Sequence, residues 1–209
     1  VEQGRIIYAN IRKFVYFLLS CNLAEIAVIF LATLAGAPSP LTPIQLLWLN
    51  LLTDGAPALA LGVEKGDPDI MDQPPRSVKE PIIDRNMRLG LVLQTIAKTA
   101  ATLGAFAIGR HLNPDSWHLA QTMAFVTLAT SELLRGYTAR SELNSVFKIG
   151  VFANKFMQYA VSASLILLLL VIYVPFLQNV FDTVPLSAEH WLYMLPFFAT
   201  PAIVDELTK

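Results

Sequence analysis

Long apolar stretches, set apart by short charged ones, dominate the chain. Six of them are near the roughly 20 residues that a helix needs to cross a bilayer, where every backbone polar group must be satisfied within its own segment. They cover residues 15–36, 43–62, 89–109, 117–134, 156–177 and 189–206. Glu25 is the only charge in the first, Asp54 in the second, Lys98 in the third and Glu132 in the fourth, and the fifth has none. The sixth has a short apolar core at 191–204, interrupted by Pro196 and Pro201, and an interfacial helix is the alternative for it. The pattern predicts an all-α membrane protein, a bundle of six transmembrane helices.

Basic residues set the orientation, because loops rich in Lys and Arg stay on the cytoplasmic side. Arg5, Arg12 and Lys13 precede the first stretch; Lys65, Arg76, Lys79, Arg85 and Arg88 fill the loop 63–88. Arg135, Arg140, Lys148 and Lys155 lie between the fourth and fifth stretches, and Lys209 ends the chain. Arg110 alone stands on the opposite side, while Lys98 lies within a span. Alternate loops agree, so both ends are expected to be cytoplasmic. The loop 63–88 is rich in Pro, Asp and Lys, and Pro75 pushes Pro74 out of helical conformation.

Composition narrows the class. The chain of 209 residues is 55% hydrophobic and 15% charged, against about 25% charged in an ordinary soluble domain, and its mean hydropathy is +0.53. Disorder and a collagen-like fibre are excluded. A net charge of −1 gives no basic field for polyanions, so no nucleic-acid partner is expected. A single cysteine, Cys21, excludes an internal disulfide framework. The opening Val1-Glu2-Gln3-Gly4-Arg5 contains no signal peptide and is expected to be the interior of a longer protein.

The candidate chemistry lies where polarity is expensive. A carboxylate at mid-bilayer costs a few kcal/mol or more, so it normally faces a bundle interior and marks an ion or proton path. Glu25 has Asn22 one turn before it. Asn50, Thr53 and Asp54 fall at i, i+3 and i+4, on one helix face. Gly55 and Pro57 follow, and Pro57 has no N–H for the carbonyl of Thr53. The second helix is therefore expected to unwind between Asn50 and Pro57, placing a free carbonyl beside a carboxylate, an amide oxygen and a hydroxyl. Such an all-oxygen set suits a hard cation like calcium, and broken helices hold ions at mid-membrane in transporters. Taken singly, Asn22 and Thr53 read as interhelical glue, Pro57 as a kink, and the carboxylates as partners for Lys98. Together they favour an ion site. Glu132 has Arg135 three residues on, within pairing reach, which reads as a structural pair. Two readings stand for Lys98: a long stem reaching outward, or a countercharge to the carboxylates.

Glu2-Gln3-Gly4-Arg5 followed by Asn22-Leu23-Ala24-Glu25 resembles the stalk and fifth transmembrane helix of a type II P-type ATPase. Trp48-Leu49-Asn50-Leu51-Leu52-Thr53-Asp54-Gly55, then Pro57-Ala58, resembles the sixth helix of the sarcoplasmic-reticulum-like calcium pumps. Asp69-Ile70-Met71, Pro74-Pro75-Arg76-Ser77 and Lys79-Glu80-Pro81 are similar to the cytoplasmic loop after that helix. The resemblance covers the whole chain as the family's last six helices. It is dense through residue 85 and rests on topology and Glu132 beyond.

Position by position, the resemblance implies that Asn22, Glu25 and Thr53 are ligands of a first calcium site, Asn50 of a second, and that Asp54 bridges both. Glu132, in Thr130-Ser131-Glu132 with Glu142 ten residues later, takes the place of the eighth-helix ligand of the first site. Asn50 stands where sodium–potassium pumps carry Asp, which points to calcium. Arg135 and Lys98 depart from the family pattern, and either one would reduce two calcium ions per cycle to one.

The resemblance further implies an ATP-driven calcium pump, with calcium as the transported ion and a proton counter-flow. Mg-ATP chemistry belongs to the full-length protein only, since the family's fourth-helix ligands, phosphorylated aspartate and nucleotide-binding domain would precede Val1, and the chain would hold only part of the transport site. Partners would be the lipid bilayer, the upstream cytoplasmic domains and the first four helices of the same pump, in a cell or internal membrane. The alternatives are a pump of this fold for manganese, magnesium or sodium, an ATP-independent channel or secondary-transporter subunit, and an inert anchor. The oxygen-only ligands argue against copper and zinc.

Overall fold

The computed structural model describes residues 1–66, 70–71, 81–141 and 144–207. Asp69, Pro74-Pro75-Arg76-Ser77, Lys79-Glu80, Glu142 and Lys209 lie outside these residues. Every regular element among the described residues is helical: α1 (Glu2–Leu34), α2 (Pro43–Trp48), a π-helical segment (Leu49–Thr53), α3 (Gly55–Gly62), α4 (Arg85–Leu112), α5 (His118–Thr138), α6 (Val146–Ile149), α7 (Lys155–Tyr173), α8 (Pro175–Phe181) and α9 (Ala188–Leu207).

Four of the described helices are long and apolar enough to cross a membrane: Glu2–Leu34, Pro43–Gly62, Arg85–Leu112 and Lys155–Tyr173. The other two expected crossings correspond to α5 and α9, with 21 and 20 residues. Their length suffices, but α5 carries Gln, Thr, Ser, Glu and Arg along its faces, and α9 has acidic ends and two internal prolines.

Local chemistry explains the boundaries. α1 starts well before residue 15, because nothing between Glu2 and Val15 breaks a helix, and Arg5 at its foot donates to the Ile70 carbonyl at 2.8 Å. α2 opens on a capping box: Thr42 accepts from the Gln45 amide while the Gln45 side chain accepts from the Thr42 amide. The helix expected over 156–177 ends at Tyr173, because Pro175 holds Val174 in extended conformation (φ −90°, ψ 117°); the chain then restarts as α8.

α5 is the hub of the bundle. Sixteen of its 21 residues are buried, and it packs on α1, α3, α4, α7 and α9. Its approach to α4 requires a glycine: a Cβ on Gly109 would stand 2.6 Å from the Cα of Ala120. Leu128, Phe125, Met123, Leu168 and Val171 fill the main core. A second core of Phe17, Cys21, Ala58, Leu61 and Met157 lies between α1, α3 and α7. The outward faces stay apolar, with Ile26, Phe30 and Leu34 of α1, Leu59 of α3, and Val92 and Ile96 of α4 all exposed. A soluble monomer rarely shows so continuous an apolar surface; it is the surface of a membrane protein.

Candidate cation site

Polar and charged side chains from α1, the π segment, α4 and α5 converge inside this apolar shell. α1 presents Cys21 and Glu25, which are four residues apart and share a face. Both are buried. Glu25 Oε2 accepts from Asn50 Nδ2 at 2.9 Å, whereas its Oε1 has no hydrogen-bond partner. Asn22, one position further round, is half-buried and donates to the Leu18 carbonyl of its own helix at 2.8 Å.

The second helix changes pitch where the polar residues fall. From Leu49 to Thr53 the backbone is π-helical, and the Asp54 amide donates to the Leu49 carbonyl, five residues back, at 2.9 Å. The extra residue in that turn carries Thr53 and Asp54 to the interior, 2% and 0% exposed, and leaves Asn50 at the outer rim. Asn50 still reaches inward through its bond to Glu25, and also donates to the Leu46 carbonyl at 3.0 Å. Pro57 sits in the first turn of α3 and cannot donate to the Thr53 carbonyl.

Glu132 comes from the C-terminal half of α5 and is fully buried. None of its carboxylate oxygens, nor those of Asp54, accepts a hydrogen bond. Cys21, Asp54 and Glu132 each bring a ligand atom into a group whose members lie within 4.8 Å of one another. Lys98 of α4 completes the cluster. It is 0% exposed, and its ammonium donates to Cys21 Sγ at 3.2 Å. It lies within electrostatic reach of Glu25, Asp54 and Glu132. The outward-reaching reading of Lys98 therefore fails.

Arg135 does not pair with Glu132. Its Nη1 donates to Asp205 Oδ2 of α9 at 2.9 Å and to Thr138 Oγ1 at 3.2 Å, and its guanidinium stands 5.1 Å from the Tyr16 ring centroid. Three residues along α5 turn the two side chains to different neighbours, and the buried Asp205 takes the guanidinium. The carboxylate of Glu132 is left to the cluster.

Unpartnered buried carboxylate oxygens are costly, because desolvation removes their water without replacing its hydrogen bonds. Glu25, Asp54 and Glu132 together leave five such oxygens. That donor set fits a hard, oxygen-seeking cation. Of the six residues expected as ligands, Glu25, Asn50, Asp54 and Glu132 are brought together, Thr53 is buried beside Asp54, and Asn22 is turned to its own backbone. Cys21 was not among the expected ligands, although its i, i+4 spacing to Glu25 marks it as sharing that face.

Comparison with known proteins places this arrangement. Residues 38–209 match the family model described as cation transporting ATPase, C-terminus. The chain is 41% identical over 204 residues to the calcium-transporting ATPase of Bacillus subtilis (strain 168), covering 98% of this chain and 23% of that protein. It is 38% identical over 224 residues to calcium-transporting ATPase 1 of Bacillus cereus, covering 100% of this chain and 25% of that protein. It is 39% identical over 210 residues to the mouse calcium-transporting ATPase type 2C member 1, covering 100% of this chain and 23% of that protein. The chain thus spans about a quarter of the length of the curated relatives it matches. By sequence, the chain belongs to the cation-transporting ATPase family and corresponds to its C-terminal portion.

Proposed function

We propose that residues 1–209 form the C-terminal transmembrane domain of an ATP-driven calcium pump, in which Glu25, Asn50, Thr53, Asp54 and Glu132, with Asn22 at the edge, ligate the transported ion. The observation that carries this reading is the set of unpartnered carboxylate oxygens of Glu25, Asp54 and Glu132, drawn from three helices into one buried cluster. The three relatives, all calcium-transporting ATPases, support calcium as the cargo.

In this reading six helices cross the bilayer, α5 and α9 among them, with both chain ends and the loop 63–88 on the cytoplasmic side. The clustering of Lys and Arg in alternate loops supports it. The π segment is the place where the second helix opens. Its wide turn is a marginal geometry, and Pro57 leaves the Thr53 carbonyl without its α-helical donor, so local unwinding would add backbone oxygens to the carboxylates. Upstream domains of the same protein would bind Mg-ATP and carry the phosphorylated residue.

The test is calcium-dependent ATP hydrolysis by the full-length pump. Asp54→Asn is expected to abolish it, and Glu132→Gln to weaken it less, because Asp54 is the central carboxylate of the cluster. The same apparent calcium affinity in Asp54→Asn and wild type would refute the assignment.

A further inference from the structure

A thiol stands among the acids. Cys21 of α1, Asp54 just after the π segment and Glu132 of α5 each bring one ligand atom within 4.8 Å of the other two. All three side chains are fully buried. The Cys21 sulfur accepts from the Lys98 ammonium at 3.2 Å, so it is turned towards the charged side of α1. Neither Asp54 nor Glu132 has a hydrogen-bond partner on either carboxylate oxygen. Two buried, unpartnered carboxylates therefore face one buried sulfur, and the calcium ligands proposed above, all oxygen, leave that sulfur without a task.

The spacing suits a compact ion. At a tetrahedral angle, metal–sulfur and metal–oxygen bonds of about 2.3 and 2.1 Å place sulfur and oxygen roughly 3.6 Å apart. Closing to that span from 4.8 Å asks for about 1 Å of side-chain movement at most. Sulfur also changes which ion is preferred. Calcium takes oxygen ligands, whereas a thiolate selects soft, thiophilic ions. The ion displaces the thiol proton as it binds, and that proton leaves to solvent. Ligands from elsewhere in the full-length protein would add to these three donors without removing the sulfur, so the preference does not depend on them.

We infer that Cys21, Asp54 and Glu132 form a mixed sulfur–oxygen site for a thiophilic divalent cation of the zinc or cadmium class. The inference rests on the carboxylates of the calcium-site reading and goes beyond it by adding a sulfur ligand and a second class of ion.

The experiment is equilibrium binding of cadmium, and separately of calcium, to the purified full-length pump without ATP. Wild type, Cys21→Ser and Cys21→Ala are compared, and cadmium–thiolate charge-transfer absorption in the ultraviolet is recorded alongside. Wild type is expected to bind cadmium more tightly than calcium, with an absorption that is reduced in both variants. Outer-shell partners alone are worth about 10- to 100-fold in metal affinity, so loss of the sulfur ligand should weaken cadmium binding at least about tenfold. Wild-type cadmium affinity in a folded variant, or equal absorption in wild type and variants, would overturn the inference. Should neither variant fold, wild type decides: cadmium bound no more tightly than calcium overturns it. Missing calcium binding beside a Cys21-dependent cadmium site would overturn the calcium reading alone. Intact calcium binding beside a cadmium affinity indifferent to Cys21 would overturn only the sulfur site.

Discussion

Glu64, just after α3, and Arg140, just after α5, pair across 76 residues. Arg140 Nε and Nη2 donate to the two Glu64 oxygens at 2.8 and 3.2 Å, with side chains 1% and 6% exposed. The pair is embedded. Asn154 Nδ2 donates to Glu64 Oε2 at 2.7 Å, Arg140 Nη1 to the carbonyls of Gly150 and Val151 at 2.8 and 3.0 Å, and Asn10 Nδ2 to the Glu64 carbonyl at 2.7 Å. Glu64→Ala removes the acid and strands a buried guanidinium, for which the cost is about 3–5 kcal/mol. Its bonds to Gly150 and Val151 satisfy only part of the fork, so the upper half of that range is expected. Glu64→Gln keeps an acceptor and the shape, and should cost about half as much. The double variant Glu64→Ala, Arg140→Met removes both charges and should recover most of the loss, because an apolar replacement of a buried ion pair is often neutral. The assay is thermal unfolding of the detergent-solubilised full-length pump, followed by a thiol-reactive dye that reports buried cysteines such as Cys21. Wild-type stability in Glu64→Ala, or a double variant no better than the single one, would refute the argument.

The remaining expectations concern packing, charge and pH. Gly109→Val should destabilise by about 1–3 kcal/mol by forcing α4 from the Ala120 backbone, whereas Gly4→Ala, with nothing within 4 Å, should be neutral or stabilising by up to about 1 kcal/mol; unfolding midpoints compare them. Asp205→Ala should cost about 3–5 kcal/mol by stranding Arg135, with Asp205→Asn in between. Asp84 caps α4 by accepting from the Met87 amide at 2.9 Å and pairs with Arg12. Burial pushes its carboxyl up, but the bonds from Met87, Arg12 and Asn86 outweigh that and hold it below the usual range. A lowered folded value means that this stabilisation is present above the unfolded pKa of about 3.9 and is lost as pH falls through the folded value. Asp84→Ala should therefore cost about 0.5–2 kcal/mol at neutral pH and flatten the acid limb of a stability–pH curve.

Much of this was legible along the chain because it is local. The apolar runs at 15–36, 43–62 and 89–109 mark the long helices, and Glu25, Asp54, Lys98 and Glu132 stand out because each is the sole charge in its run. The Pro175 rule was available, yet the unbroken apolar run across it concealed the end of α7. Long-range pairings were not legible. Arg135 is three residues from Glu132 but pairs with Asp205, 70 residues away, and Arg140 finds Glu64 across 76 residues. Sequence spacing brings side chains onto one face; only packing decides which neighbour faces them. The pitch change at Leu49–Thr53 lies between these cases, since Pro57 and the polar residues signal a departure from α geometry without specifying a π turn.

The central claim is that the cluster of Glu25, Asp54 and Glu132 binds the transported cation. Its most direct test is the equilibrium dissociation constant for calcium of the full-length pump, wild type against Asp54→Asn, in the absence of ATP. Removing one charge from a desolvated, charge-compensated site costs about 2–5 kcal/mol, which is roughly a 30- to 5,000-fold loss of affinity. A loss in that range with preserved folding is the expected result; an unchanged dissociation constant in folded Asp54→Asn would contradict the account.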